Sequence, residues 1–245
     1  MELNADFSQR VVIHSTDLDW QLSPIPGVER RMLDRIGDEK ARATSIVRYA
    51  PGSQFSAHVH GGGEEFLVLA GVFQDEHGDF PAGSYIRNPP TSKHTPGSAP
   101  GCMILVKLWQ FDLSDRTHIR IDTHKLPAIR PEGRSGIAVK PLFADGQEQV
   151  QLEIWQPHTI GEIDAAGGLE IFVMAGGLVT GEDELRQYSW LRLPVQSRLR
   201  AIAGPAGCTV WLKTGHLAHP QLLTAPPGSC RIRAPTSFCS RTEIA

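Results

Sequence analysis

The sequence predicts an all-β protein built from two similar units in tandem. Three observations carry that reading. Short runs rich in β-branched and aromatic residues recur along the chain, turn formers punctuate them, and the second half repeats the first. No segment sustains a 3.6-residue apolar period for the length of a helix, so evenly spaced strands point to a sandwich or barrel. With 245 residues, the chain has room for one large β domain or two of about 120 residues each.

In chain order, the strand signals of the first half are "ATSIVRYA" (43–50), "EFLVLAGVF" (65–73), "SYIRNP" (84–89), "CMILVKLWQF" (102–111) and "THIRIDT" (117–123). Between them lie "APGS", "DEHGDFPAGS" and "PPTSKHTPGSAPG", whose Gly, Pro, Asp and Ser favour turns. The second half restates the plan at an offset of 105, "GGEEFLVLAGVF" (62–73) against "GGLEIFVMAGGL" (167–178). Gly62, Gly63, Glu65, Ala70 and Gly71 recur as Gly167, Gly168, Glu170, Ala175 and Gly176. Downstream, "PGCMILVKLW" (100–109) mirrors "AGCTVWLKTG" (206–215), matching Cys102 to Cys208 and Lys107 to Lys213; upstream, "SIVRYAPG" (45–52) faces "QLEIWQPH" (151–158). A repeat this long suits two copies of a small domain rather than a solenoid. The join falls in "HKLPAIRPEGRSG" (124–136), dividing the chain into 1–125 and 126–245.

Composition removes several classes of function. A formal charge of −3 with no Lys/Arg-rich segment gives no footprint for nucleic acid. The start, "MELNADFSQRVV", lacks the basic and apolar regions of a signal peptide. No apolar stretch approaches the roughly 20 residues needed to cross a bilayer. A cytoplasmic protein without a membrane partner is expected. The four cysteines form no C-x-x-C motif, so reduced, structural thiols are the expectation. Cys230 and Cys239, in "SCRIRAPTSFCS", could pair or bind metal, although no His or acidic residue lies between them.

One stretch carries chemistry: "FSAHVHGGGEEFLVLAGVF" (55–73). Ionisable groups at the edge of a buried strand are costly unless paired, hydrogen-bonded or bound to a metal. In a strand, His58 and His60 point the same way. The glycine turn at 61–63 lets the next strand return beside them, with Glu64, Phe66, Val68 and Ala70 on one side and Glu65, Leu67 and Leu69 on the other. Glu65 rivals Glu64 as a ligand, but its recurrence as Glu170 favours a structural role. Tyr85, Arg87 and Trp109 lie near this stretch in sequence order and could line a site or be ordinary strand residues. The "RNPP" turn (87–90) shapes a loop. His14, His77, His118, His124, His158, His216 and His219 have no partner at ligand spacing and are expected at the surface.

From Gly52 the spacing G-x5-H-x-H-x3-E-x6-G, followed by P-x-G at Pro81–Gly83 and then His94, resembles the two signature motifs of the cupin superfamily. The resemblance implies two tandem cupin (double-stranded β-helix, jelly-roll) barrels, with His58, His60, Glu64 and His94 as metal ligands. The second motif departs from the usual pattern, with ten residues between Gly83 and His94. With that longer interval, "HVHGGGEEFLVLAGVFQDEHGDFPAGSYIRNPPTSKHTP" resembles the cupin domain of ChrR-type anti-sigma factors. It is also similar to acetylacetone-cleaving and dihydroxyacetophenone dioxygenases. The implied cofactor is one divalent transition metal per chain, Fe, Zn, Mn, Ni, Co or Cu, since three imidazoles and a carboxylate do not choose among them.

Two functions follow from the resemblance. One is a metal-dependent, for instance Fe(II)-dependent, dioxygenase acting on a small diketone or hydroxyketone. The other is a non-enzymatic sensor, a regulatory cupin of the ChrR type. The sequence has no His-x3-Cys-x2-Cys segment, so grip on a sigma factor through such a domain is not implied. A small-molecule ligand or substrate is the expected partner, together with a second copy of the chain, because cupins associate through sheet edges. At offset 105, His58, His60 and Glu64 become Ile163, Ala165 and Leu169, and His94 falls near Arg198 or Leu199. The second barrel is therefore expected to be metal-free, serving in packing, in dimer formation or for a different ligand.

Overall fold

The computed structural model describes residues 1–226 except Glu39 and Glu182; Cys230 and Cys239 lie outside these. Among the described residues the fold is all-β, with three single-turn 3-10 segments, Ser15–Asp17, His216–Ala218 and Pro220–Leu223, and no α-helix. Most strands belong to two antiparallel sheets with the same internal order. In the first, Val28–Gly37, Ala41–Tyr49, Cys102–Leu108, Glu64–Asp75 and Ser84–Asn88 lie side by side. In the second the sequence is Ile137–Ala144, Gln149–Trp155, Ser197–Thr214, Leu169–Thr180 and Ser189–Leu193. Gly71 and Gly176, both at φ +70, sit beside register shifts, where a Cβ would collide with the carbonyls of Gly101 and Gly207. Glycine therefore recurs there because only glycine fits the bulge.

The second sheet is completed by a strand from across the join. Val11–His14 pairs with Ser189–Leu193 of the second sheet, Val12 opposite Leu191. The first sheet ends on a strand of its own half: Ile119–Asp122 pairs with Ser84–Asn88, Ile121 opposite Tyr85. The first half thus lends one arm to the second sheet, while the strands of the first sheet all lie between residues 2 and 122.

Alternation along the strands sets up three apolar layers. Phe66 and Val68 pack with Phe73, Ile86, Ile104 and Val106 inside the first unit. Leu67 points the opposite way, into a layer shared by the sheets, where Tyr85 and Leu105 meet Phe172, Trp190 and Trp211. The second unit has an interior of its own, including Ile163, Leu169, Val173, Leu199 and Leu212.

The shared layer also buries charge. Glu65 and Lys107 are register neighbours in one sheet, as Glu170 and Lys213 are in the other. Each reaches across to the opposite sheet. Lys107 Nζ lies 2.6 Å from Glu170 Oε2, and Lys213 Nζ lies 2.6 Å from Glu65 Oε2. No member of the four is more than 2% exposed. Tyr85 Oη donates to Glu65 and Trp190 Nε1 to Glu170, while Arg87 pairs with Glu148 and Arg192 with Asp34. Charges removed from water are costly unless opposite charges and hydrogen bonds meet them. Burial alone would raise the Glu65 carboxyl, but Lys213 and Arg87 outweigh it and hold the pKa at about 2. Glu65 and its counterpart Glu170 are thus structural.

One expectation for the histidines is corrected. His216 is not at the surface: it is 3% exposed, with Nε2 2.9 Å from Glu170 Oε1. Its 3-10 turn follows the end of Ser197–Thr214 and folds the ring onto the buried carboxylate, which motif spacing alone does not reveal. His77, His118, His124 and His158 are exposed, and His14 and His219 half-buried.

Candidate metal centre

The first unit departs from the second where short strands leave the main sheet. His58–Val59 pairs with Lys93–His94, setting His58 opposite His94. The equivalent register in the second unit sets Ile163 opposite Leu199. Trp109 accounts for the glycine run that follows His60. A side chain at Gly61 or Gly62 would strike its indole, so the ring packs against the loop joining His60 to Glu64.

One candidate donor atom from each of His58, His60 and His94 lies within 4.8 Å of the other two. The rings meet edge-on, with centroids 4.7, 4.9 and 5.1 Å apart. Glu64 Oε2 stands 3.5 Å from His60 Nε2 and 3.6 Å from His94 Nε2. The four residues singled out by the motif are therefore gathered at one point. Two of the rings are oriented by acceptors. His58 Nδ1 is 3.2 Å from the Ser56 carbonyl and His94 Nδ1 3.2 Å from Asp75 Oδ2. These partners can only accept, so Nδ1 carries the proton and Nε2 of each ring is the free lone pair. Asn88 Nδ2 donates to Glu64 Oε2 at 3.2 Å.

His60 Nε2 provides the test of fit. It is buried and makes no hydrogen bond. A buried lone pair of this kind is costly unless something electron-poor takes it. A divalent transition metal is such a group, and imidazole and carboxylate are donors it accepts. Burial lowers the pKa of His60, partly offset by Glu64, which favours the neutral, ligating form. For His94, burial acts in the same direction but is outweighed by Asp75 and Glu64, and the pKa rises. Burial alone would raise Asp75; hydrogen bonds from His94 and the His77 N–H overcome it and hold the carboxyl low.

Sequence reasoning missed Asp75 and Asn88, which lie outside the motif pattern. Tyr85 and Arg87 face the shared layer and not this cluster; Arg87 is held by Glu148 and Asp115 between the rings of Phe111 and Phe143. The residue after Pro90 matters more: Thr91, at φ +73, donates its N–H to the His60 carbonyl, and Ser92 accepts from the His60 N–H. The proline turn therefore holds His60 as well as leading to His94. A cleft of about 350 Å³ between residues 52–55 and 95–99 reaches Asp75, but none of the three imidazoles lines it. The exposed member of the cluster is His58.

Residues 8–112 match a family model described as the ChrR Cupin-like domain. No curated protein matches the chain. Among solved structures, a candidate dioxygenase from Nostoc punctiforme superposes with a TM-score of 0.71 at 16% identity, covering 94% of this chain and 88% of that one. A glyoxylate-induced protein assigned in Pseudomonas aeruginosa gives 0.62 at 14%, covering 93% and 91%. Oxalate decarboxylase OxdC of Bacillus subtilis gives 0.58 at 12%, covering 83% and 76%. At these identities the likeness is one of fold, and the fold is that of the cupins.

Proposed function

We propose, for a chain whose residues 8–112 are a ChrR cupin-like domain, that His58, His60, Glu64 and His94 hold one divalent transition metal, and that the protein is a dioxygenase for small diketones or hydroxyketones. The observation that carries the metal reading is the Nε2 of His60, buried without a hydrogen bond beside Glu64 and two further imidazoles. When bound, such an ion supplies Lewis acidity toward a substrate with two chelating oxygens and, if redox-active, electrons for dioxygen.

The chain's own residues do the rest. Ser56 and Asp75 fix the tautomers of His58 and His94, so two lone pairs stand ready without a prior proton loss. Asn88 steadies the Glu64 carboxylate. Phe73, with its ring centroid 5.8 Å from that of His94, and Phe66 beside it make an apolar wall that keeps water from a carbon skeleton.

The test is oxygen uptake after anaerobic loading with Fe(II), across a panel of 1,3-diketones and 2-hydroxyacetophenones. Uptake with Fe(II), and binding without uptake for the zinc form, supports the enzyme, since Zn(II) has no redox chemistry. No binding and no uptake across the panel rejects it. The match to a ChrR cupin-like model favours a second reading, a sensor, which would show a ligand- or oxidant-driven change of association state without turnover.

A further inference from the structure

We infer that Gln74, Asp75 and Glu76 act together as a positioning clamp for His94, with Asp75 setting the affinity of the metal site through that ring; this rests on the metal reading above. Three consecutive side chains at the end of Glu64–Asp75 and just beyond it seize the segment that carries His94. Gln74 Oε1 accepts the Ala99 N–H at 2.7 Å, and its Nε2 donates to Asp79 at 2.7 Å. Asp75 Oδ2 meets His94 Nδ1 at 3.2 Å, while Oδ1 accepts the His77 N–H at 2.7 Å. Glu76 Oε2 accepts the Thr95 N–H at 2.7 Å. The Asp75 side chain is 2% exposed, as is that of His94, so their contact is shielded from solvent.

The second unit shows what the clamp replaces. There the segment holding Leu199 is part of the unbroken strand Ser197–Thr214, paired along its length to Ile160–Ala165 and, at Ile202 and Ala203, to Val179 and Leu178. A backbone ladder fixes it. In the first unit the same segment is broken into Lys93–His94 and Gly97–Ser98, with Pro96 between, which has no N–H to give to a ladder. Short backbone pairings remain at Lys93–His94 and Gly97–Ser98, and side chains reinforce them. The three positions equivalent to Gln74, Asp75 and Glu76 in the second unit are Val179, Thr180 and Gly181, which carry no carboxylate or amide and only the one hydroxyl of Thr180. Clamp and imidazoles are present together in one unit and replaced together in the other. A purely structural device would have no reason to follow the ligands.

The experiment measures the dissociation constant for Co(II) and Zn(II) by chelator competition in the full chain. It also assigns the His94 tautomer by long-range nitrogen–proton NMR on metal-free protein near pH 8, above the usual histidine range. Asp75→Ala is expected to weaken metal binding about 10- to 100-fold, with Asp75→Asn between it and the parent because an amide oxygen still accepts. Glu76→Ala should cost only a few-fold, since it holds backbone and not the ring. His94 in the metal-free parent should carry its proton on Nδ1, and Asp75→Ala should shift the tautomer toward Nε2–H. Parent-like affinity in Asp75→Ala, or an Nε2–H tautomer in the parent, overturns the clamp. A parent that binds neither ion sinks the metal reading instead, while the tautomer measurement still decides whether Asp75 sets the ring.

Discussion

In the first unit His58, His60, Glu64 and His94 converge; in the second, Ile163, Ala165, Leu169 and Leu199 occupy the same places and are all buried in one apolar cluster. Yet the two sheets share strand order, bulge glycines and the buried Glu–Lys pairs. The difference teaches which features a fold needs and which a site needs. Scaffold features are retained on both sides of the repeat. Polar donors with no packing value, and the side chains that aim them, stand on one side only.

The contrast can be broken most decisively at the metal. Protein prepared without chelators or a His-tag should carry about one transition-metal ion per chain by elemental analysis, and His60→Ala or His94→Ala should lose nearly all of it. About two ions per chain would erase the distinction between the units.

The shared scaffold can be tested next. Lys107→Met and Lys213→Met each leave a buried carboxylate short of its cation, and each should cost about 3–5 kcal/mol by chemical denaturation. Similar losses in both would sharpen the symmetry; a large loss in one alone would show that one pair is incidental. A smaller effect should come from acid. Glu65, held at about 2 against an ordinary 4.5, contributes fully above the unfolded value and loses that contribution as pH falls from 4.5 toward 2. The effect is smaller because Lys213 keeps Glu148 at 2.8 Å when Glu65 is protonated. Denaturant midpoints measured through that window should fall less steeply in Glu65→Gln. The smallest effect is expected from Thr44→Val, which removes the hydroxyl that accepts from Lys107 Nζ and Gln110 Nε2 and should cost about 1–2 kcal/mol. The equivalent residue in the second unit is already Val150; a cost as large as that of the lysine variants would mean Thr44 is part of the charge network itself.

The sequence made the cluster legible because strand alternation and a short glycine turn are local rules: from His58, His60 and Glu64 alone the shared direction follows. The recurrence of Glu65 as Glu170 also announced a structural role. The partners of these glutamates were not legible, because Lys213 meets Glu65 across 148 residues through a packing of two sheets that no local pattern encodes. Asp75 was hidden for a similar reason: nothing in "VFQDEHGD" marks one acid among several as the one that meets an imidazole. The arm lent to the second sheet was equally silent, since "VVIH" pairs as well with one sheet edge as with another until the sheets are built.

That arm gives synthesis on the ribosome an awkward order. Val11–His14 is among the first segments made, but its partner strand begins at Ser189, 175 residues after His14, a wait of roughly 10 to 35 seconds at usual elongation rates. Until the last long strand is made, the face bearing Leu67, Tyr85 and Leu105 lacks Trp211, and Glu65 lacks Lys213. A nascent chain in that state offers chaperones a long-lived apolar target. A message truncated before Ser189 would leave the cell with an incomplete molecule that quality control must remove.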